Sequence, residues 1–280
     1  MQSTFKPLIH MMGRDYYATS EEARVSISLQ TDTRHTDHVN HQAAQLPDPW
    51  AFFDKIYCIT LDSRPDRTAE ARKQFAKAGI LERVEFVVVA RHPDNREFGI
   101  FQSHMHCLQR GLRDNGSHIL IFEDDVFFNR LHFPHLEECC RSLQALGEWQ
   151  GLFLGCITDG SKRIGNRPLA KINYRCLAHA YALNRSFAEQ IARQPWTGIP
   201  FDELLRRQQH SFYALYPMCA FQGRSGSDNQ TVVIDRLRRL FGGLPFIQKM
   251  NEFYRINQTV LLPGTLTVMV LSALLLISLW

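Results

Sequence analysis

The fold is decided by the stretch Ile119-Leu120-Ile121-Phe122-Glu123-Asp124-Asp125-Val126, in which an apolar run ends directly in three acids. A short aliphatic run that follows Gly116 predicts a buried strand, and the acids predict that its C-terminal end opens into a loop. Open α/β sheets bind their ligands at the C-terminal ends of their strands. The three acids are therefore expected at a ligand-binding edge.

Alternating strand and helix patterns surround this strand. The elements before it are a strand over residues 55–61, a helix over 67–78, a strand over 84–90 and a helix that ends at a 114–116 turn. The elements after it are strands near 152–155 and 176–183, helices that begin near 185 and 200, and a strand within 212–221. The alternation predicts an α/β fold built on a parallel, doubly wound sheet.

The composition is that of an ordinary globular protein. Apolar residues make up 45% of the 280 residues and charged residues 21%, which excludes a disordered chain. The net charge of +4 is not concentrated in a basic stripe, which argues against a nucleic-acid binder. The seven cysteines form no CxxC pair, so we expect free thiols rather than a disulfide framework or a zinc site.

The two ends of the chain differ from its middle. We predict a flexible polar leader over residues 1–48, a folded domain over 49–245 and a juxtamembrane linker over 246–258. Residues 259–280 hold no charge and are about long enough for one transmembrane helix, the alternative being a buried C-terminal helix. Because Lys249 and Arg255 precede this tail, we expect a membrane-anchored protein whose folded domain lies in the cytoplasm.

The acidic cluster predicts a metal site. On a strand, Glu123 and Asp125 would lie on one face and Asp124 on the other, because side chains alternate. Carboxylate oxygens are ligands for Mg²⁺ or Mn²⁺, and such an ion can also hold a diphosphate. The alternative is a negatively charged loop that binds nothing.

Two further polar stretches lie at the same predicted edge. After the first strand, Asp62 could bind a ribose, and Arg64 and Arg67 could bind phosphate oxygens; the alternative is a capping turn with solvated arginines. Ser103 and His104 lie in the first turns of the next helix, where they could face a ligand, although a lone histidine is often structural.

These three stretches, in this order, resemble glycosyltransferase family 25, the lipopolysaccharide-biosynthesis and procollagen galactosyltransferase family. Its L-D-x-R-x-x-R turn is found at 61–67, its E-x-G-C-x-x-S-H helix start at 97–104, with Ile100 in place of Cys, and its E-D-D strand end at 123–125. Later counterparts are His179-Ala180-Tyr181, Asp202, Tyr216-Pro217, Gln222 and Ser227-Asp228. The resemblance covers about residues 52 to 230.

The resemblance implies a GT-A-like, Rossmann-like domain that uses a nucleotide-sugar donor, most simply a UDP-sugar, and a divalent metal. The reaction would be a single displacement that moves a galactose-like hexose to a glycan or lipid-linked acceptor, in lipopolysaccharide or cell-surface glycan biosynthesis. Glu123 and Asp125 would hold the metal, and Asp202 would be the catalytic base or simply a helix N-cap. The donor-side candidates are Asp62, Arg64, Arg67, Ser103, His104 and Asp124, and Asp228 could complete the metal or acceptor site.

Two rival functions remain open at this point. One is a membrane-tethered binding protein that has kept the fold and lost catalysis, because the connection before Glu97 is shorter than the family's. The other is a phosphoacceptor receiver domain, for which Asp159 and Lys171 would have to join the acids.

Overall fold

The computed structural model describes residues 48–223 and 243–278, with side chains as far as residue 261. The predicted leader, apart from residue 48, and the Ser227-Asp228 pair lie outside the described residues. The strands are β1 (Lys55–Leu61), β2 (Val84–Val89), β3 (His118–Glu123), β4 (Val126–Phe128), β5 (Gly151–Arg163), β6 (Leu169–Asn184), β7 (Phe212–Leu215) and β8 (Ala220–Gln222). The helices are α1 (Pro65–Lys77), α2 (Arg96–Arg113), α3 (Phe133–Leu146), α4 (Arg185–Ala192), α5 (Phe201–Gln208) and α6 (Gly243–Ser278), with short 3-10 helices at Pro49–Phe52 and Leu81–Arg83.

Six strands form one sheet in the order β2-β1-β3-β6-β5-β7. The prediction of alternating strands and helices is confirmed for the first half, where β1 pairs in parallel with both β2 and β3. Ile59 pairs with Glu123 and Leu61 with Val89, so the C-terminal ends of these three strands meet at one edge. The acids follow β3 at that edge.

The prediction of a wholly parallel sheet was wrong, because β6 runs antiparallel to β3, β5 and β7. The sequence pattern marked only the buried parts of β5 and β6, whereas the structure extends both strands into one long hairpin. Its connection includes Gly165 at a φ of +57°. A hairpin reverses the chain direction, which forces β6 to oppose the strands beside it. The predicted strand within 212–221 is divided into β7 and β8, and β8 pairs with β4 outside the main sheet.

Both faces of the sheet are covered, as a Rossmann-like α/β fold requires. On β3, Leu120 and Phe122 face a core shared with the helices α1 and α3. Ile119 and Ile121 face a second core, shared with α2, α4 and α5. An unbroken apolar run is what a strand buried on both faces needs. This explains why the stretch before the acids has no polar alternation.

Helix α6 packs against the domain through polar side chains. The Gln248 side chain donates to the Ala220 carbonyl at 2.8 Å. Asn251 accepts from the Thr158 amide at 2.9 Å and donates to the Thr158 carbonyl at 2.9 Å. The stretch predicted as a juxtamembrane linker, 246–258, is thus part of a helix attached to β5 and β8.

The structure does not support the predicted transmembrane segment. Within residues 48–223 and 243–278, no helix combines the length and the apolar character that crossing a bilayer requires. The backbone of α6 continues to Ser278, and its side chains after Leu261 lie outside the described residues.

Gly155→Ala is expected to destabilise the protein by about 3 kcal/mol, because overpacking of a filled core displaces backbone. A Cβ at this position would lie 1.8 Å from the Ala220 carbonyl oxygen and 2.7 Å from the Gln248 side-chain nitrogen. Denaturant unfolding measures the change. The matched control is Gly160→Ala on the same strand, where the nearest atom to a new Cβ is 3.7 Å away. Equal stabilities of the two variants would contradict the expectation.

Candidate active site

A cavity of about 800 Å³ opens at the C-terminal edge of β1, β2 and β3. Its walls come from the ends of these strands, the start of α2, the irregular part of β6 and the start of α5. The ionisable side chains that line it are Arg67, Arg91, His92, Arg96, Glu97, His104, Glu123, Asp124, Asp125, Cys176, His179 and Asp202. Neither Asp159 nor Lys171, the receiver-domain candidates, lines this cavity; both lie on the β5–β6 hairpin.

The acids do not alternate as predicted. Strand β3 ends at Glu123, and Asp124 and Asp125 form a turn that leads into β4. The turn directs both aspartates toward one guanidinium: Arg67 Nη1 lies 3.3 Å from Asp124 Oδ1 and 3.8 Å from Asp125 Oδ2. The alternation of side chains along a strand does not apply here, because β3 ends at Glu123, the first of the three acids.

Asp124 connects the ends of β1 and β3. Its Oδ2 accepts from the Thr60 hydroxyl at 3.2 Å and from the Leu61 amide at 3.4 Å, while Oδ1 faces Arg67. Burial raises the pKa of this carboxyl, and Arg67 and these hydrogen bonds oppose the rise. With both oxygens bound to protein groups, Asp124 holds Arg67 and the strand end in place.

Only one of the two carboxylate oxygens of Asp125 is hydrogen-bonded within the described residues. Its Oδ2 accepts from the Gln222 amide nitrogen at 3.1 Å, whereas its buried Oδ1 has no hydrogen-bond partner among the residues that the structure describes. Burial, and next the neighbouring Glu123, raise the pKa of Asp125 to about 7. A buried carboxylate oxygen without a donor is costly unless a ligand supplies one.

Glu123 meets a histidine whose orientation is fixed. His104 Nδ1 lies 2.9 Å from the Tyr181 hydroxyl, and His104 Nε2 lies 3.4 Å from Glu123 Oε1. The imidazole also stacks on Phe201, with ring centroids 4.2 Å apart. Burial lowers the pKa of His104 to about 4, so the ring is neutral at pH 7. A neutral ring that accepts from Tyr181 carries its proton on Nε2, which then points at Glu123.

Asp202 is not a helix N-cap. It lies in the first turn of α5, and its carboxylate accepts hydrogen bonds from β6 instead: from the Leu177 amide at 3.0 Å, the Ala178 amide at 3.0 Å and the Tyr174 hydroxyl at 2.5 Å. Leu177 has a φ of +75°, a conformation that bulky residues rarely adopt. Asp202 therefore holds a strained turn in the cavity wall. Its role as base stays a prediction.

Three of the predicted site residues lie outside the cavity or use their polar groups elsewhere. Asp62 is exposed and does not line the cavity. Arg64 lies outside it as well and makes two hydrogen bonds to Asp66, at 2.9 and 2.8 Å. Ser103 lines the cavity, but its hydroxyl donates to the Gly99 carbonyl at 2.7 Å. Asp228 lies outside the described residues.

The comparison with known families decides the class of the protein. The family model described as glycosyltransferase family 25 (LPS biosynthesis protein) matches residues 24–205, well over half of the chain. The chain belongs to glycosyltransferase family 25. The predicted family is confirmed, and the protein is a glycosyltransferase. No curated protein sequence matches the chain.

Several solved structures are similar to this glycosyltransferase at low identity. A glycosyltransferase involved in the glycosylation of the major capsid of PBCV-1 has a TM-score of 0.38 at 10% identity, over 66% of this chain and 99% of that one. A197 from STIV has a TM-score of 0.39 at 13% identity, over 60% and 83%. An apo UDP-glucose pyrophosphorylase has a TM-score of 0.34 at 13% identity, over 57% and 72%. These likenesses are loose and say nothing of this enzyme's substrate.

The sequence patterns missed two arginines and the partners of Asp202. Arg91 and Arg96 line the cavity from the connection after β2 and the start of α2. A signal for them existed, because they flank a loop at the C-terminal end of a predicted strand. Tyr174 and Leu177 had no such signal, since they meet Asp202 from 28 and 25 residues away.

We expect the stability of this glycosyltransferase to fall as the pH rises from about 6.5 to 8. Burial raises the pKa of Glu123 to about 8 and that of Asp125 to about 7, so the folded protein keeps protons that the unfolded chain has lost. The contribution of these bound protons to the free energy of unfolding is lost as the pH rises to the pKa of each carboxyl in the folded protein. His104 and His179, whose pKa values are lowered to about 4, act oppositely only below about pH 6.5.

Unfolding free energies measured by denaturant across this pH range test the expectation. Asp125→Asn should show a shallower decline, because one of the two carboxyls is gone. A wild-type stability that stays level or rises between pH 6.5 and 8 would contradict it.

Proposed function

We propose that this enzyme transfers a galactose-like hexose from a nucleotide sugar, with UDP as the expected nucleotide, to a hydroxyl of a glycan or lipid-linked acceptor. The observation that carries the proposal is the meeting of an acidic turn and three arginines in one cavity of about 800 Å³, a size suited to a small-molecule ligand. The family description, with its reference to LPS biosynthesis, supports a glycan product.

The cations suit a diphosphate. Arg67, Arg91 and Arg96 all line the cavity, and guanidinium groups bind phosphate oxygens with fork geometry. Helix α2 begins at Arg96, beside the cavity, and the amides of a helix N-terminus favour an anion. These groups would bind the donor of a GT-A-like enzyme on the side of β1 and β2.

The residues also fit a divalent metal. Within residues 48–223 and 243–261, the buried Asp125 Oδ1 has no hydrogen-bond partner, and Glu123 brings a second carboxylate to the same cavity. Among the described residues, no group of three or more His, Cys, Asp or Glu could hold a metal by itself. Mg²⁺ is commonly bound by one or two carboxylates together with substrate phosphates, so two acids are sufficient. When bound, the metal would neutralise charge on the departing diphosphate.

The side chains of the cavity would have separate roles in the reaction. Arg67, fixed by Asp124, presents positive charge to the phosphates. His104 Nε2 lies 3.4 Å from Glu123 Oε1, and Tyr181 and Phe201 fix the orientation of the His104 ring. An acceptor hydroxyl attacks the anomeric carbon of the sugar and loses its proton to a carboxylate, for which Asp202 is the candidate from sequence.

Nucleotide release by the purified full-length chain tests this proposal. UDP-, GDP- and CMP-sugars are screened with Mn²⁺ or Mg²⁺ and with chelator, and calorimetry measures nucleotide binding in parallel. We expect release from one donor, mostly lost with chelator. Absence of both release and nucleotide binding would contradict the proposal and favour the binding protein that has lost catalysis.

A further inference from the structure

Helix α6 buries polar side chains against the domain and exposes apolar ones, which is the reverse of an ordinary surface helix. The side that faces the domain is mainly polar, although Ile256 also packs against the second core. Gln248 is fully buried, and the buried Glu252 accepts from the Met218 amide and pairs with Arg130 at 2.8 Å. Asn251 is attached to β5 in the same way. Surface helices of globular proteins normally bury their apolar side. Here the polar side is the buried one.

The opposite side of α6 is apolar and exposed. Side chains at positions 246, 250, 253, 257 and 260 follow one another at intervals of four and three residues, so they share one face of the helix. Four of them are apolar, and Tyr254 lies beside them. Their exposed fractions are 48% for Phe246, 47% for Met250, 55% for Phe253, 40% for Tyr254 and 72% for Val260. We call Phe246, Met250, Phe253, Tyr254 and Val260 the α6 stripe.

We propose that the α6 stripe rests on a lipid surface, with the first half of α6 lying along the membrane rather than crossing it. Exposed apolar side chains that form a continuous strip mark an interaction surface. Phenylalanine, methionine and tyrosine on one helical face are typical of helices that lie in the boundary between headgroups and acyl chains.

The surrounding charges favour lipid over an apolar protein partner. The half-buried Arg255 lies over the Tyr254 ring of the stripe, and the half-buried Lys249 lies over the Phe221 ring of the domain. Glu252, the one acid of α6 in the sequence, is buried and paired. The β5–β6 hairpin adjoins α6 at Asp159, which pairs with Arg255 at 3.9 Å and with Arg175 at 3.4 Å. The exposed cations of that hairpin are Lys162, Arg163, Arg167, Lys171 and Arg175. Cations beside an apolar helix face attract anionic headgroups.

The sequence after the stripe points to the same partner. From Val260 to Trp280 no residue is charged, so the sequence adds no acid that would repel anionic headgroups.

The lipid contact would also hold the cavity near the membrane surface. Gly243 and Leu244, at the start of α6, line the cavity, so its wall continues into the helix that carries the stripe. A lipid-linked acceptor could then reach the cavity from the membrane surface. This consequence rests on the proposed transfer reaction, but the lipid contact itself does not.

Vesicle flotation of the full-length protein tests the proposal, with phosphatidylcholine vesicles and with vesicles that also contain phosphatidylglycerol. We expect binding to the anionic vesicles and a loss of roughly tenfold or more in affinity for the double variant Phe246→Ser/Phe253→Ser, since burial of apolar side chains drives such binding. The matched control is Phe133→Ser/Leu146→Ser on α3, which removes two other exposed apolar side chains, 44% and 37% exposed, and should bind unchanged.

A second measurement separates the stripe from the rest of the chain. Phe253→Trp and Phe133→Trp are compared for quenching of tryptophan emission by brominated lipids, with the wild-type signal subtracted. Strong quenching at position 253 alone supports the proposal, even if other residues hold the protein on the vesicle. Equal quenching at both positions would overturn it. So would sedimentation that shows a dimer dissociated by Phe246→Ser/Phe253→Ser while vesicle binding is unchanged, because the stripe would then contact a second copy.

Discussion

Asp125→Asn is expected to lower nucleotide-sugar turnover by roughly a thousandfold, a loss typical of removing one preorganised electrostatic group from an active site. The substitution keeps the shape of the side chain and the contact to Gln222, and it removes the charge from the buried Oδ1, which has no partner in the described part of the chain. Because burial, and next the neighbouring Glu123, raise the pKa of Asp125, removing this charge should leave the stability unchanged or slightly higher. Loss of turnover without loss of stability would therefore report chemistry and not folding.

The control is Glu82→Gln, which removes an equivalent charge from an exposed side chain outside the cavity. It should keep wild-type turnover. Metal-dependent binding of the nucleotide, measured by calorimetry, should also weaken in Asp125→Asn and not in Glu82→Gln. If Asp125→Asn turned over at the wild-type rate, Asp125 would have no part in holding a metal or the donor.

The sequence was informative where a local pattern has one structural solution. A short apolar run followed by acids predicted β3 and its position. A strand that is buried on both faces has no polar residues, whereas the loop after it can hold several polar residues. Arg67 and His104 were predicted to lie near the acids, and the structure brings both to the cavity. Parallel strands connected by helices place all their C-terminal ends at one edge, so elements far apart in sequence could be predicted to meet there.

The sequence was misleading where the outcome depends on contacts between distant residues. The direction of β6 follows from the hairpin with β5, whose exposed half lacks the apolar signal of a strand. Arg64 pairs with Asp66 two residues away and does not line the cavity, so its role at the donor stays a prediction. The strand rule for Glu123 and Asp125 failed because the position of a strand end is the least predictable part of an element.

Asp202→Ala is expected to lower the free energy of unfolding by roughly 3–5 kcal/mol, because it leaves two backbone amides without acceptors and removes charge-assisted hydrogen bonds. The Leu177 turn at φ +75° loses the group that holds it, and the cavity wall from Cys176 to His179 should change shape. Turnover should fall together with stability. The matched control is Glu203→Ala, the next residue on α5, a half-buried acid whose pairs with the more exposed Arg206 and Arg207 contribute little.

Asp202→Asn separates the two roles left open for this residue. An asparagine oxygen in the Oδ2 position can accept from the Leu177 amide, and its NH₂ group in the Oδ1 position can donate to the Tyr174 hydroxyl but leaves the Ala178 amide without an acceptor. The turn should therefore be weakened less than in Asp202→Ala, and turnover should stay within about tenfold of wild type if Asp202 acts by position. A catalytic base cannot be replaced by an amide, because an amide takes no proton near neutral pH. A folded Asp202→Asn with turnover as low as that of Asp202→Ala, and without the acidic limb of the pH–rate profile, would establish Asp202 as the base. Retained turnover with an unchanged profile would assign it to holding the cavity wall, which is the result that its three donors lead us to expect.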